Sequence, residues 1–392
     1  AYLNSQNGDR EVDGFYATTY LMDHEEIRSY MSELSIEQIQ EAYNSIIEIQ
    51  NKCENYSLKK PLKIPQLPWK NFDDIVNIDN WCKKIPEFEQ FLSSEYIGDK
   101  ELIKAIIQKL NSDARLQNQA TYDAINTCLE MTRISSDVNK AHWSAYYLNL
   151  QKIIEACWEA GTLVGPGRGS GVGFILLYLL DITQINPLWE RTQTFPWRFL
   201  NPARVSVLDV DIDIEGGRRA QVLNHFREVY GSDRVANVLT LGTEKSKSAI
   251  LTAARGLGID VDIASYLASM IKSERGIMQT LDQTFYGDEE NGILPNKKFV
   301  EEMTQNYPEL WKVAHKIEGL ICRTGIHAGG VIFVDEPFEN STALMRAPDG
   351  TIITQYDLHD AEKVSLIKYD VLSVEALDKI HTCIDLLVKQ NY

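Results

Sequence analysis

The chain has 392 residues, of which 44% are hydrophobic and 24% are charged, and its formal net charge is −17. These totals are typical of a soluble globular protein with room for two or three domains. The longest apolar run, FILLYLL at 174–180, is too short to span a bilayer, and we expect no signal peptide. The acidic balance excludes a surface that attracts nucleic acid everywhere, so such binding would need a local basic cleft.

The first 160 residues are predicted to be mainly helical. Ser35 and Gln38 form a capping-box pattern at the start of the helix SIEQIQEAYNSIIEIQNKC, and helical periodicity dominates from about 85 to 160. Between them, LKKPLKIPQLPW (58–69) contains three prolines, which predicts an extended linker and a domain boundary. The last helix should end before Gly161 and carries an apolar stripe made of Leu150, Ile153, Ile154, Cys157 and Trp158.

A glycine-rich segment, VGPGRGSGVGF at 164–174, lies between a short predicted strand, TLV, and a buried helix. Glycines allow backbone amides to approach a phosphate, and Arg168 could add a bidentate contact. The segment matches neither the P-loop nor the dinucleotide-binding fingerprint, so a tight turn without a ligand is the alternative interpretation.

The segment SVLDVDIDIEGGRR (206–219) places three aspartates at alternate positions: Asp209, Asp211 and Asp213. Alternate residues of a strand share one face, so the carboxylates would point one way and the intervening apolar residues into a core. Like charges this close repel each other unless a cation lies among them. The pattern therefore favours a divalent metal site, with an exposed acidic edge strand as the alternative.

Two further interpretations of this segment concern calcium and nucleic acid. An EF-hand loop is excluded, because Ile214 and Ala220 occupy the positions where that loop needs Gly and Glu. The arginines around the aspartates could line a local basic cleft or be ordinary surface residues, and both interpretations stay open. These arginines are Arg198, Arg204, Arg218, Arg219, Arg227 and Arg234.

The rest of the chain is predicted to alternate strands and helices. RRAQVLNHFREVYG should form an amphipathic helix, RVANVLTLGT a strand and 244–320 mostly helices, before the strands GGVIFV, TIITQY and SLIKYDVL and a terminal helix. Asp370 lies within the apolar strand SLIKYDVL, where a carboxylate is costly unless it is paired or metal-bound. An ion pair with Lys368, two residues earlier, is the alternative to a metal. A glycine loop, paired strand acids and a third strand acid are together what two-metal phosphoryl transfer requires.

Five separated motifs resemble, in their order and rough spacing, the alpha subunit of bacterial DNA polymerase III, a C-family replicative polymerase. The resemblance runs from about residue 15 to the C-terminus. The motifs are VGPGRGSGVGFILLYLLDITQINPL, RFLNPARVSVLDVDID, VLTLGTEKSKSAI, RTGIHAGGVIF and TQYDLHDAEKVSLIKYDVLSVEALDKI.

The resemblance implies an α+β fold in which a beta-polymerase-like palm, a mixed sheet with helices, is split by an inserted helical thumb. By similarity the palm comprises about 71–240 and 316–392, and the thumb 241–315. Residues 1–70 would be the helical end of a PHP domain whose metal-site region is absent. The chain ends where the fingers of the family begin, so we expect a fragment or one part of a split enzyme, with fingers from a missing segment or another chain.

The resemblance also assigns roles to individual residues. The catalytic carboxylates, which would hold two Mg²⁺ ions with Mn²⁺ as a substitute, are Asp209, Asp211 and Asp370. The residues matched to nucleotide binding are Arg168, Gly169, Ser170, Arg198 and Lys368. Asp213 matches a supporting acid, while Lys247 and His327 lie in family motifs without an assigned role.

The implied activity is that of a template-directed DNA polymerase, in which a primer 3′-hydroxyl attacks the alpha-phosphate of a deoxynucleoside triphosphate and releases pyrophosphate. The implied partners are primer-template DNA, the nucleotide, a sliding clamp and other replisome proteins, and no membrane is implied. The expected location is the cytoplasm of a bacterium, for a protein encoded by the bacterium or by a bacteriophage. Two alternatives stay open: nucleotidyl transfer to a non-DNA acceptor, and a catalytically silent replication scaffold.

Overall fold

A computed structural model describes residues 20–69, 77–189, 194–201, 203, 208–274 and 276–390. The chain divides into two compact units. The first unit comprises Ala1–Tyr56 and Leu241–Thr324, and the second comprises Ser57–Thr240 and Gly325–Tyr392. The predicted basic residue Arg204 lies outside the described residues.

Helices account for about half of the described part of the chain. They are α1 (His24–Tyr30), α2 (Ile36–Cys53), α3 (Ile78–Lys84), α4 (Glu87–Leu92), α5 (Ile97–Ser112), α6 (Gln119–Asn139), α7 (Trp143–Glu159), α8 (Ile175–Leu179), α9 (Pro196–Phe199), α10 (Arg219–Tyr230), α11 (Ser246–Gly256), α12 (Val261–Ser269), α13 (Leu281–Tyr286), α14 (Lys297–Glu301), α15 (Pro308–Ile317), α16 (Leu358–Lys363) and α17 (Glu375–Lys389). The predicted capping box of α2 is confirmed, because Gln38 N donates to Ser35 Oγ and Ser35 N to Gln38 Oε1. None of these helices is long and apolar enough to cross a bilayer.

The strands are β1 (Asp211–Ile214), β2 (Val235–Thr243), β3 (Ser273–Glu274), β4 (Ile277–Met278), β5 (Ile321–Phe333), β6 (Leu344–Arg346), β7 (Ile352–Thr354) and β8 (Lys368–Ser373). Six of them form one mixed sheet in the order β1-β8-β5-β2-β7-β6, and β3 pairs with β4 separately. Within the large sheet, β1 is parallel to β8 and β2 to β7, whereas β8 is antiparallel to β5 and β7 to β6. The predicted α+β class is confirmed at this level.

Three local predictions differ from the structure. Trp158 does not join the buried stripe of α7, because 46% of its surface is exposed. The predicted strand TLV is reduced to a single bridge between Val164 and Ile214. Regular strand β1 begins only at Asp211, so Asp209 precedes it.

The proline-rich segment 58–69 is extended, as predicted, but it is not a free linker. Ile64 and Leu67 are buried and belong to the hydrophobic core of the second unit. The division between the two units falls before the segment, between Tyr56 and Ser57. A proline-rich composition disfavours regular secondary structure but does not prevent apolar side chains from packing.

Asn149, fully buried in α7, holds this extended segment against the sheet. Its Oδ1 accepts hydrogen bonds from the backbone N–H of Leu67 at 3.2 Å and the indole N–H of Trp69 at 2.9 Å. Its Nδ2 donates to the carbonyl of Pro65 at 2.7 Å and to the hydroxyl of Tyr369 at 2.9 Å. One buried amide thus satisfies four polar groups that water does not reach.

Helix α7 also fixes both acid-bearing segments of the chain. The ring of Tyr146 stacks on that of Tyr369 with centroids 5.4 Å apart, and its hydroxyl donates to the carbonyl of Leu208 at 2.9 Å. Tyr369 immediately precedes Asp370, and Leu208 immediately precedes Asp209. A single helix therefore sets the positions of both segments.

We predict that Asn149→Leu lowers the free energy of unfolding by about 3 kcal/mol, because it leaves several buried donors and acceptors without partners. Urea denaturation followed by tryptophan fluorescence measures this change. Asn80→Leu is the matched control, since Asn80 is exposed on α3 and its side chain makes no hydrogen bond to the described residues. Equal losses in the two variants would contradict the structural role of Asn149.

Candidate active site

The parallel pairing of β1 with β8 brings together acids from two distant segments. In the register of this pair, Asp211 lies opposite Asp370. One carboxylate oxygen from each of Asp209, Asp211 and Asp370 lies within 4.8 Å of the others. It is the one cluster of three acidic, histidine or cysteine ligands found among the described residues. The structure thus brings together all three residues that the resemblance assigned to the metal.

Asp213 does not belong to this cluster, because in the same register it lies opposite Leu372. It faces the glycine loop instead: Arg168 Nε lies 3.2 Å from Asp213 Oδ1 and 3.4 Å from Asp211 Oδ2. The first contact is an ion pair without hydrogen-bond geometry, since this buried oxygen has no hydrogen-bond partner in the described structure. Burial raises the pKa of Asp213, although the charge of Arg168 acts in the opposite direction.

Lys368 neutralises part of the cluster from the other side. Its Nζ donates to Asp370 Oδ2 and lies 3.9 Å from Asp209 Oδ1, and the lysine side chain is only 14% exposed. Burial alone would lower the pKa of Lys368, but the hydrogen bond to Asp370 and the neighbouring carboxylates raise it overall. The predicted ion pair between Lys368 and Asp370 therefore exists together with the acidic cluster rather than in place of it.

The remaining electrostatics fit a cation among the acids. Asp370 is 6% exposed, and its Oδ1 is buried without a hydrogen-bond partner among the described residues. Desolvation raises the pKa of Asp209; Lys368 lowers it, while the charges of Asp370 and Asp211 raise it further. A set of carboxylate oxygens is the hard donor set that Mg²⁺ and Mn²⁺ prefer. The residues present thus fit a divalent metal.

The glycine loop is tied directly to the acidic strand. Gly165 N donates to the carbonyl of Asp213 at 2.8 Å, and a Cβ added at Gly165 would lie 2.8 Å from the Cβ of Asp213. Only glycine therefore allows this close approach. Gly169 has a φ of +66° and open space on its Cβ side. Arg168, between these glycines, reaches the acids.

The structure gives no side-chain contact for three residues matched to the nucleotide. Arg198 is exposed on α9, and no described side chain forms an ion pair or hydrogen bond with it. Ser170 precedes the short 3₁₀ helix Gly171–Gly173 and offers its hydroxyl without a described partner, and Gly169 has no side chain. Their placement around a nucleotide stays a prediction.

Two residues near the acids were not assigned a role from the sequence. Arg219 donates to the carbonyl of Val371, directly after Asp370, and His327 Nδ1 accepts from Gly330 N at 2.7 Å. Gly330 lies opposite Asp370 in the β5–β8 register. The sequence signals for these two residues were the group of arginines around the aspartates and the motif RTGIHAGGVIF. Neither signal predicts which part of the site the side chain contacts.

Comparisons with known proteins agree with this geometry. Residues 100–373 match the family described as the bacterial DNA polymerase III alpha NTPase domain. Over its whole length the chain is 37% identical to the probable DNA polymerase YorL of Bacillus subtilis (strain 168) and to the DNA-directed DNA polymerase of Bacillus phage SPbeta, and covers 30% of each. It is 27% identical to the DNA polymerase III subunit alpha of Aquifex aeolicus over 87% of this chain and 32% of that protein.

The chain thus spans less than a third of these relatives' length, 30% to 32%. The family match includes the glycine loop, both acid-bearing strands and the helices that position them. The family match covers well over half of the chain, and the identity to two polymerases extends the similarity to its whole length. The chain therefore belongs to the bacterial DNA polymerase III alpha family.

Proposed function

We propose that this chain carries the catalytic centre of a template-directed DNA polymerase. The observation that supports this most directly is the convergence of Asp209, Asp211 and Asp370, from two distant segments, on one cluster in which a buried Asp370 oxygen has no hydrogen-bond partner among the described residues. The reaction is nucleotidyl transfer from a deoxynucleoside triphosphate to a primer 3′-hydroxyl. Template-dependent primer extension by the complete natural polypeptide tests this function and separates it from transfer to another acceptor.

The three aspartates are the residues that would hold two Mg²⁺ ions, or Mn²⁺ in their place. When bound, such ions activate the attacking hydroxyl and stabilise the charge on the leaving phosphates. Lys368 holds the Asp370 carboxylate in position and limits the mutual repulsion of the acids. Arg168, with backbone amides around Gly169 and Ser170, binds the triphosphate, and Arg198 supplies a further cation to it.

We further propose that the palm comprises about 71–240 and 316–392, most of which belongs to the second unit, and that 241–315, within the first unit, is the thumb. The support is that the two compact units divide at Thr240/Leu241 and again at Thr324/Gly325, close to the proposed insertion points. Helices α1 and α2 fit a remnant of a PHP domain within 1–70. Primer-template DNA, fingers from another segment or another chain, a sliding clamp with other replisome proteins, and a cytoplasmic location complete the proposal.

We predict that Asp211→Asn lowers the affinity for Mn²⁺ by about a hundredfold, because a ligand loses its charge in a cluster built from three carboxylates. Calorimetric titration of the whole chain with Mn²⁺ measures this. Glu89→Gln is the control, since it removes the same charge at an exposed position of α4 away from the cluster. Unchanged Mn²⁺ affinity in Asp211→Asn would remove the metal assignment.

We predict that Asp209→Asn raises the melting temperature of the metal-free protein at neutral pH. The raised pKa of Asp209 means that its ionisation is harder in the folded chain than in the unfolded one. Stability is therefore lost as the pH rises from the ordinary aspartate range through the raised pKa, and asparagine avoids this loss.

The stabilising effect of Asp209→Asn should shrink as the pH is lowered and vanish below the ordinary aspartate range, where the wild-type carboxyl is protonated in both states. Thermal unfolding across this pH range, with and without Mn²⁺, measures both effects. Mn²⁺ should raise the melting temperature of the wild type more than that of the variant. A lower melting temperature for the variant at neutral pH would contradict the prediction.

We predict that Arg168→Gln weakens binding of a deoxynucleoside triphosphate by about tenfold, the effect of losing one charge-assisted hydrogen bond. Binding of Mn²⁺ alone should be retained, because removing a cation does not remove a metal ligand. Arg115→Gln, on a largely exposed arginine beside Asp113, is the matched control. If Mn²⁺ binding fell and nucleotide binding did not, Arg168 would organise the acids instead.

A further inference from the structure

An open cavity of about 360 Å³ lies in the second unit beside the acidic cluster, and its walls come from α10, β2 and β5. Its polar lining consists of Arg219, Asn224, Arg227, Asn237, His327 and Thr351. Small or apolar residues complete the wall, including Ala220 and Ala328 at the exposed rim. None of the described residues that line the cavity is a carboxylate, although the chain as a whole carries a net charge of −17.

The two arginines of the cavity have no carboxylate partner among the described residues. Arg227 donates to the side-chain oxygens of Asn224 at 3.3 Å and Asn237 at 3.1 Å, which are both neutral. Arg219 donates to the backbone carbonyl of Val371. Both guanidinium groups are partly buried, a position that costs free energy unless an anion compensates the charge. The cavity therefore has the charge pattern of an anion site.

Burial supports the same interpretation. It lowers the pKa of both arginines, and for Arg227 it is the only cause, so that no neighbouring acid offsets the desolvation. For Arg219 the charge of Asp370 opposes the effect of burial in part. Arg227 is thus the better residue for testing the cavity, because no acid of the metal cluster affects its pKa.

His327 adds a neutral donor to the cavity. Its Nδ1 accepts hydrogen bonds from Gly329 N at 3.2 Å and Gly330 N at 2.7 Å, so the ring proton is on Nε2. Burial lowers the pKa of His327, which favours this neutral form. The backbone of β5 thereby fixes the tautomer whose Nε2–H can donate to an anion.

The order of strands separates this cavity from the glycine loop. The loop is bonded to β1, whereas the cavity is lined by β5 and β2, on the other side of β8 in the order β1-β8-β5-β2. Asp370 on β8 and its partner Asp211 on β1 lie between the two basic features. Two anionic groups could thus approach the acids from the two sides of the β1–β8 pair.

We propose that this cavity binds a backbone phosphate of the primer strand, on the 5′ side of the reacting 3′-hydroxyl. The proposal rests on the proposed function, in which the triphosphate lies on the glycine-loop side of the acids. The primer must then approach from the side of β5 and β2. Planar guanidinium groups and fixed N–H donors suit a phosphodiester, and the contact carries no sequence information.

The test compares Arg227→Gln with Arg227→Lys and with a matched control, Arg234→Gln. Arg234 lies in the same unit just before β2 and donates to the backbone carbonyl of Asp335, but it does not line the cavity. Glutamine at position 227 keeps an amide that can bond to Asn237, and thermal unfolding identifies any loss of fold. Binding of a primer-template duplex to the whole chain is measured over a range of salt concentrations, and nucleotide binding is measured separately.

We expect Arg227→Gln to weaken duplex binding by about tenfold at low salt and to reduce the slope of log K against log salt by about 0.9, the value for one lost phosphate contact. Arg227→Lys should keep the slope and restore part of the affinity. Nucleotide binding and the Arg234→Gln control should not change. A purely structural role for Arg227 would leave the salt slope unaltered.

Three results would overturn the assignment, and they are distinguishable. Loss of nucleotide binding with intact duplex binding would assign the cavity to the triphosphate. Duplex binding by Arg227→Gln with unchanged affinity and slope would reject the cavity while leaving the polymerase function intact. Absence of both duplex and nucleotide binding in the wild type would reject the proposed function together with the cavity.

Discussion

The pairing of β1 with β8 is the interaction on which the rest of the site depends. Strand β1 carries two acids and β8 carries Asp370 beside Lys368, and only the register of the pair places Asp211 opposite Asp370. The apolar partners Ile212 and Val371, opposite each other in the same ladder, are almost fully buried and oppose the repulsion of the acids. A slip by one residue would turn the acids toward the core, so the buried alternation fixes the register.

The backbone of the site is held firmly in place, although the acids that it carries repel one another. Its backbone is held by the buried Asn149 of α7 and by the stacking of Tyr146 on Tyr369, while desolvation, with the charges of the neighbouring acids, raises the pKa of Asp209. Lys368 on one side and Arg168 on the other reduce the repulsion without removing it. Sites that do chemistry commonly keep such locally unfavourable charge, which the surrounding packing must offset.

The family relationship and the geometry support different parts of the interpretation. The match over 100–373 establishes membership, yet the chain covers 30% to 32% of its polymerase relatives. What this chain itself contains is a complete acidic cluster, a glycine loop bonded to it and an arginine-lined cavity across β8. These features suit a reaction between two anionic substrates, since each would approach along its own basic surface.

The sequence by itself determined the features that depend on local periodicity and burial: the capping box of α2, the aspartate alternation, and a costly acid at Asp370 within an apolar strand. Only the tertiary structure decided that Asp213 contacts Arg168 of the glycine loop and does not join the cluster, and that Arg219, Arg227 and His327 share one cavity. The reason is physical. Alternation specifies the face of a strand, but the partner of each residue is set by strand order and register, which arise from long-range pairing.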